Sequence, residues 1–198
     1  MKKISLERII EFQKLLVQFS QIERVIHRKH KDRHIYENDT EHSYNLAMTA
    51  WLLAPHFPKL NQDLLIKFAL AHDLVEIHAG DTYIYGSEKE LASKASREAA
   101  ALVTLQKDWP ELHEVTELIK EYETRQKPEA KFIYALDKIM PILMIYIHEG
   151  YTWKQKNITA KMLYDAKIEK VSLSPEIQPY FDELHKVLLA SPHLIKSA

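Results

Sequence analysis

Apolar residues recur at helical spacing along nearly the whole chain. Leu6, Ile9, Ile10, Phe12, Leu16, Phe19, Ile22 and Ile26 fall three or four apart, which predicts a first helix over 6–26. A basic stretch over 24–34 reads as a solvated loop for most of its side chains, the alternative being that one arginine turns inward to hold an anion. Asn38 with Glu41 three residues on has the form of a capping box, so a second helix starts there. Tyr44, Leu46, Met48, Trp51 and Leu53 make that helix apolar nearly all round, which predicts burial on every side. Pro55 and Pro58 end it. A third helix begins at Asn61 or Gln62 and carries an apolar run from Leu64. Further helices are predicted over 88–107, 112–122, 129–140 and 157–169, and after Ser174-Pro175-Glu176. Pro141 lacks the N–H that would bond the carbonyl of Asp137, so a kink is predicted there. Residues 191–198 are predicted to fray. The expectation is an all-α fold of about eight helices without a credible strand, in one domain over 1–198 whose core lies within 24–143.

Composition narrows the function. The 198 residues are 46% apolar and 28% charged, enough for one sizeable core in a globular, soluble protein. A net charge of -1 sets up no field toward nucleic acid or a membrane surface, and neither is expected as a partner. No apolar run is long enough to span a bilayer, and residues 1–8 hold no secretory core, so a cytoplasmic location is expected. The chain has no cysteine, which excludes disulfides, zinc–thiolate sites and a cysteine nucleophile. Three glycines, Gly80, Gly86 and Gly150, are too few for a glycine-rich phosphate loop.

The chemistry gathers in the third helix. His72 and Asp73 are adjacent, and Glu76 follows four and three residues later, which puts an imidazole and two carboxylates on one helical face among apolar neighbours. Buried carboxylates need a partner, and a cation serves all of them at once. Gly80 suits the position just past the helix end, with Asp81 at its rim. On its own a His-Asp pair is more often structural. His42, in the first turn of the second helix, and Asp137, among apolar residues of a later one, complete a ligand-type set on three helices. Two imidazoles and two carboxylates suit one divalent first-row ion: Mn, Co, Fe, Ni or Zn. Tyr83 and Tyr85 follow Asp81 and are placed to line a pocket mouth.

The order His42, His72-Asp73, Asp137 resembles the HD superfamily of metal-dependent phosphohydrolases. Glu41-His42-Ser43-Tyr44, His72-Asp73-Leu74-Val75-Glu76 with Gly80-Asp81, Glu121-Tyr122-Glu123 and Leu136-Asp137-Lys138 resemble its 5′-deoxynucleotidase branch. The resemblance implies metal binding by His42, His72, Asp73 and Asp137, catalysis by Glu76 as acid or base, and contact of Asp81 with the substrate sugar. It places a phosphate-holding arginine at Arg24, although the tryptophan often found after that arginine is absent here, so Arg28 or Arg33 stay open for the role. It further implies a (deoxy)nucleoside 5′-monophosphate as small-molecule substrate and a homodimer. The alternative is a metal-containing regulatory module that binds a nucleotide without turnover.

Overall fold

The apolar repeat at the start of the chain outlasts the helix that it forms. In the computed structural model, which describes residues 3–197, helix α1 (Leu6–Phe19) stops at Ser20. The chain then forms strand β1 (Glu23–His30), which pairs antiparallel with β2 (Arg33–Asn38), His30 opposite Arg33. The expectation of no strand, and of a solvated loop over 24–34, is therefore wrong. Ile26 turns into the core, while Thr152 Oγ1 and His148 Nδ1 accept from the backbone N–H groups of His27 and Lys29. Those bonds satisfy the free edge of β1, and the buried Ile26 gives the hairpin an inner side. Its tip passes through Lys31 at φ 53, a left-handed position filled without glycine.

Helix α2 (Asp39–Leu53) starts with the expected capping box, Asn38 accepting from Glu41 N and Glu41 from Asn38 N. It is not buried all round. His42, Ser43, Leu46, Ala47 and Ala50 face inward, whereas Tyr44, Met48, Trp51 and Leu52 form an exposed apolar stripe, Leu52 being 72% exposed. The pattern could not tell a helix covered on both sides from one with an apolar outer face.

After a 3₁₀ turn at Ala54–His56 come α3 (Gln62–Ala71), α4 (Glu76–Ala79), α5 (Glu88–Asp108), a second 3₁₀ turn at Pro110–Leu112, α6 (His113–Thr124), α7 (Pro128–Ile147), α8 (Tyr151–Lys156), α9 (Ala160–Val171) and α10 (Gln178–Leu189). Among the described residues this makes ten α-helical segments, because the motif region and the C-terminal region each divide into shorter pieces. Helix α7 forms the axis of the core and packs on α2, α3, α9 and β1. Pro141 lies inside it, and the helix continues through that residue to Ile147.

The end of the chain does not fray. Leu194 and Ile195 are buried, Lys196 pairs with Thr159, and Ala160 N donates to Lys196 O at 2.8 Å. Gly150, at φ 68, makes room for this: a Cβ there would lie 2.3 Å from Leu194 O. Of the predicted fraying segment, only Ala198 lies outside the described residues. No helix among the described residues is long and apolar enough to cross a membrane.

Candidate metal centre

The His-Asp motif does not sit in a continuous helix. Helix α3 ends at Ala71, His72 is its cap, and 72–75 form tight turns before α4 begins at Glu76. Backbone bonds run three residues apart, with Leu74 N donating to Ala71 O and Glu76 N to Asp73 O at 2.8 Å. At three residues per turn, positions three apart eclipse one another, which brings Asp73 and Glu76 onto one side. Gly80, at φ 73, ends α4 as expected, and Asp81 follows at the cavity wall. Arg97 of α5 donates to Ala79 O and, at 2.7 Å, to Thr82 Oγ1, pinning the loop that carries Asp81.

His42, His72, Asp73 and Asp137 converge, although His42 and Asp137 are 95 residues apart in sequence. His42 Nε2 lies 2.9 Å from Asp137 Oδ1 and 3.8 Å from Asp73 Oδ2; His72 Nε2 lies 3.0 Å from Asp73 Oδ2 and 4.0 Å from Asp137 Oδ1. Ion–ligand bonds of about 2.0–2.2 Å put neighbouring ligand atoms of an octahedron about 3 Å apart and opposite ones about 4 Å apart. The four separations fall in that range. His72 Nδ1 donates to Ala69 O at 3.0 Å, which leaves the lone pair on Nε2 facing a carboxylate. That nitrogen makes no hydrogen bond despite its short approach to Asp73. A cation relieves this contact. So would a proton on His72, whose pKa Asp73 raises against the opposing effect of burial. Burial and then Arg24 push His42 down to about 4, so it stays neutral and able to ligate. The residues fit a divalent ion.

Around this set lies a second layer of charge. Arg24 Nη1 donates to Asp73 Oδ2 at 3.1 Å and to Asp39 Oδ1 at 3.0 Å, while its Nε is 3.6 Å from Glu37. Burial opposes the charge on Arg24, but Asp73, Asp81, Glu76 and Asp39 outweigh it and hold the pKa far above the ordinary range. Glu76 is buried, and its Oε2 has no hydrogen-bond partner. Burial, followed by Asp73, Asp39 and Asp81, lifts its pKa well above the carboxylate range. Asp39, Asp73 and Glu76 bring oxygens within 4.8 Å of one another. Two such carboxylates share a proton more readily than both ionise.

One cavity of about 200 Å³ is lined by Arg24, Asp73, Glu76, Asp81 and Asp137, with Tyr83 and Tyr85 from the loop as expected. Arg28 is engaged elsewhere, donating to Glu41 at 2.9 Å, and Arg33 is exposed near the hairpin tip. Sequence reasoning missed Asp39, which looked like an ordinary acidic residue in a first helical turn. It also missed the lysines that line the cavity from α5, α7 and α9. A signal was present for Lys167, which sits four residues from each of Leu163 and Val171 on the buried side of α9.

Fold and site together define a metal-dependent phosphohydrolase built on helices. The chain belongs to the HD domain family, whose model matches residues 20–178. It is 33% identical over 151 residues to 5′-deoxynucleotidase HDDC2 of Mus musculus, covering 75% of this chain and 72% of that protein. The Homo sapiens protein of the same name is 32% identical over 151 residues, with 75% and 71% covered. A crystal structure of a predicted metal-dependent phosphohydrolase from Magnetospirillum magnetotacticum MS-1 superposes with a TM-score of 0.77 at 29% identity, over 95% of this chain and 98% of the other.

Proposed function

We propose that this chain hydrolyses nucleoside 5′-monophosphates, deoxynucleotides among them, to nucleoside and phosphate. His42, His72, Asp73 and Asp137 would hold one divalent ion from the group Mn, Co, Fe, Ni and Zn, and its imidazole–carboxylate set favours no single one of them. A bound ion supplies Lewis acidity, drawing charge from a phosphoryl oxygen and lowering the pKa of water from about 15.7 toward about 7. Arg24 would take the phosphate charge, exchanging part of its contact with Asp39 and Asp73 for phosphate oxygens. Asp81, at the cavity wall, would orient the sugar.

Glu76 is the proton donor in this reading. Its buried Oε2, beside Asp39, would hold a proton for the 5′-oxygen of the departing nucleoside. Water forms the new P–O bond, the P–O5′ bond breaks, Glu76 protonates the leaving oxygen, and a proton from the attacking water restores Glu76. The exposed Tyr44, Met48, Trp51 and Leu52 stripe on α2 supports pairing of two copies of the chain. The observation that carries the reading is the convergence of two imidazole Nε2 atoms on the same two carboxylates, with a buried arginine 3.1 Å from one of them.

The test is phosphate release from a panel of nucleoside and deoxynucleoside 5′-monophosphates, using chelated protein reloaded with each metal in turn. Release that depends on metal and on the 5′-monophosphate supports the reading. Tight nucleotide binding with no release under any metal would instead make the chain a regulatory binding module.

A further inference from the structure

Four lysines line the cavity from α5, α7 and α9: Lys94, Lys138, Lys167 and Lys170. Two of them are already matched. Lys94 Nζ lies 3.2 Å from Glu98, and Lys138 Nζ lies 2.5 Å from Asp137. The two on α9 have no hydrogen bond or ion pair from their side chains among the described residues. Lys167 is only 5% exposed, and Lys170 is half-buried.

This arrangement is costly on the buried face of α9, whose other members, Ala160, Leu163 and Val171, are apolar. A buried ammonium without a counter-charge loses its hydration and gains nothing in return. Lys170, three residues on, sets a second positive charge on the same side of the helix, where like charges repel. Burial, followed by Lys138, pushes Lys167 down to about 7. Leu163 and Val171, one turn before and one turn after, are core residues, so a leucine or methionine at 167 would suit packing better. A lysine there is explained by an anion that enters the cavity.

We propose that Lys167, with Lys170 beside it, binds the phosphate group of the substrate and of the inorganic phosphate product, while Arg24 holds the same group from the hairpin. A phosphomonoester dianion brings two negative charges to two lysines that have none. For the substrate this rests on the phosphohydrolase reading; for inorganic phosphate it stands on the lysines alone.

The metal-loaded protein and its Lys167→Met and Lys170→Met variants are compared in two ways. One is KM and kcat with a nucleoside 5′-monophosphate that the wild type cleaves. The other is the rise in melting temperature with added inorganic phosphate. Lys167→Met should raise KM, and the phosphate concentration needed for half the thermal shift, by about ten- to a hundredfold, the scale of one charge-assisted contact. Without phosphate it should melt at or above the wild-type temperature, since a partnerless buried charge is gone. Lys170→Met, more exposed, should raise both by about two- to fivefold. Unchanged KM and phosphate response in Lys167→Met would overturn the inference, as would a fall in kcat alone. If Lys167→Met does not fold, Lys170→Met decides, and unchanged binding in that variant overturns it. A wild type that releases no phosphate from any nucleotide defeats the functional reading instead, and the inorganic phosphate measurement still decides the role of Lys167.

Discussion

The proposed metal ligands and the arginine beside them reach one point from unlike scaffolds. His42, His72 and Asp137 stand on or at the end of buried helices whose backbones satisfy themselves. Arg24 stands on a two-stranded hairpin whose outer end is exposed and whose edge is held by borrowed side chains. His34, near the tip, is fixed by stacking on Tyr151 at 3.6 Å and 7°. An ion needs ligand atoms held to a few tenths of an ångström, which interlocked helices provide. A phosphate that arrives and leaves needs a donor that can change partners. The difference teaches that the proposed metal ligands are set by interlocked helices, whereas the proposed phosphate donor is set by a hairpin root that carboxylates and borrowed side chains hold in place.

Substitutions should separate the two halves. The largest effect is expected from His72→Ala on the helical side. Metal content, read by elemental analysis, and turnover should be lost together, the latter by roughly a thousandfold, because the ion is worth several kcal/mol to the transition state. Glu76→Gln should keep metal and nucleotide but lower kcat by roughly a hundredfold or more; unchanged turnover would remove Glu76 from the mechanism.

On the hairpin side, Arg24→Ala should leave metal content intact and raise KM by about ten- to a hundredfold. It should also lower stability by roughly 3–5 kcal/mol, since Glu37, Asp39 and Asp73 lose their buried counter-charge. Loss of metal in this variant would break the distinction between the halves. Tyr151→Ala should loosen the hairpin without touching the cavity metal, raising KM about two- to fivefold, the scale of one aromatic stack.

An effect on stability alone concerns Glu37, where burial outweighs Arg24 and pushes the pKa from 4.5 to about 7. The folded state keeps a proton that the unfolded chain has released, so stability falls as pH rises from 4.5 to about 7. Glu37→Gln should flatten that decline and stabilise the protein at pH 8 by roughly 1–3 kcal/mol. Each kcal/mol is about 2–4 °C in Tm for a chain of this size. A melting curve series across pH reads it, and an unchanged slope would show that Glu37 is not the titrating group.

The helical half was legible because helices advertise themselves. The capping box at Asn38 and Glu41, the order of the ligand-type residues and the glycine after α4 are local or near-local patterns, and the structure keeps each of them. The division between α3 and α4 was hidden because tight i to i+3 turns use the same residues as a helix. The hairpin was hidden for a different reason. Its tip, Lys31-Asp32, has no Asn-Gly or Asp-Gly signature, and its strands read as the end of an apolar repeat followed by a basic run. Pairing between strands, settled by contacts distant in sequence, overrode the local helical preference. The lysines of α9 were hidden because lysine on a helix usually faces solvent. Only the cavity, formed by residues from across the chain, shows what these two face.

Asn38 belongs to two elements at once. It is the last residue of β2, opposite Glu23, and the N-cap of α2, one turn before His42. Hairpin and helix are thus joined without a hinge. A residue inserted at Lys31-Asp32 would lengthen only the exposed tip and leave both halves of the site in register. A residue inserted between Asn38 and His42 would turn the imidazole by about 100° around the helix axis and out of the cluster. Divergence in length is therefore free at the tip, which does not line the cavity, and forbidden at the root, where Arg24 and His42 are set relative to one another.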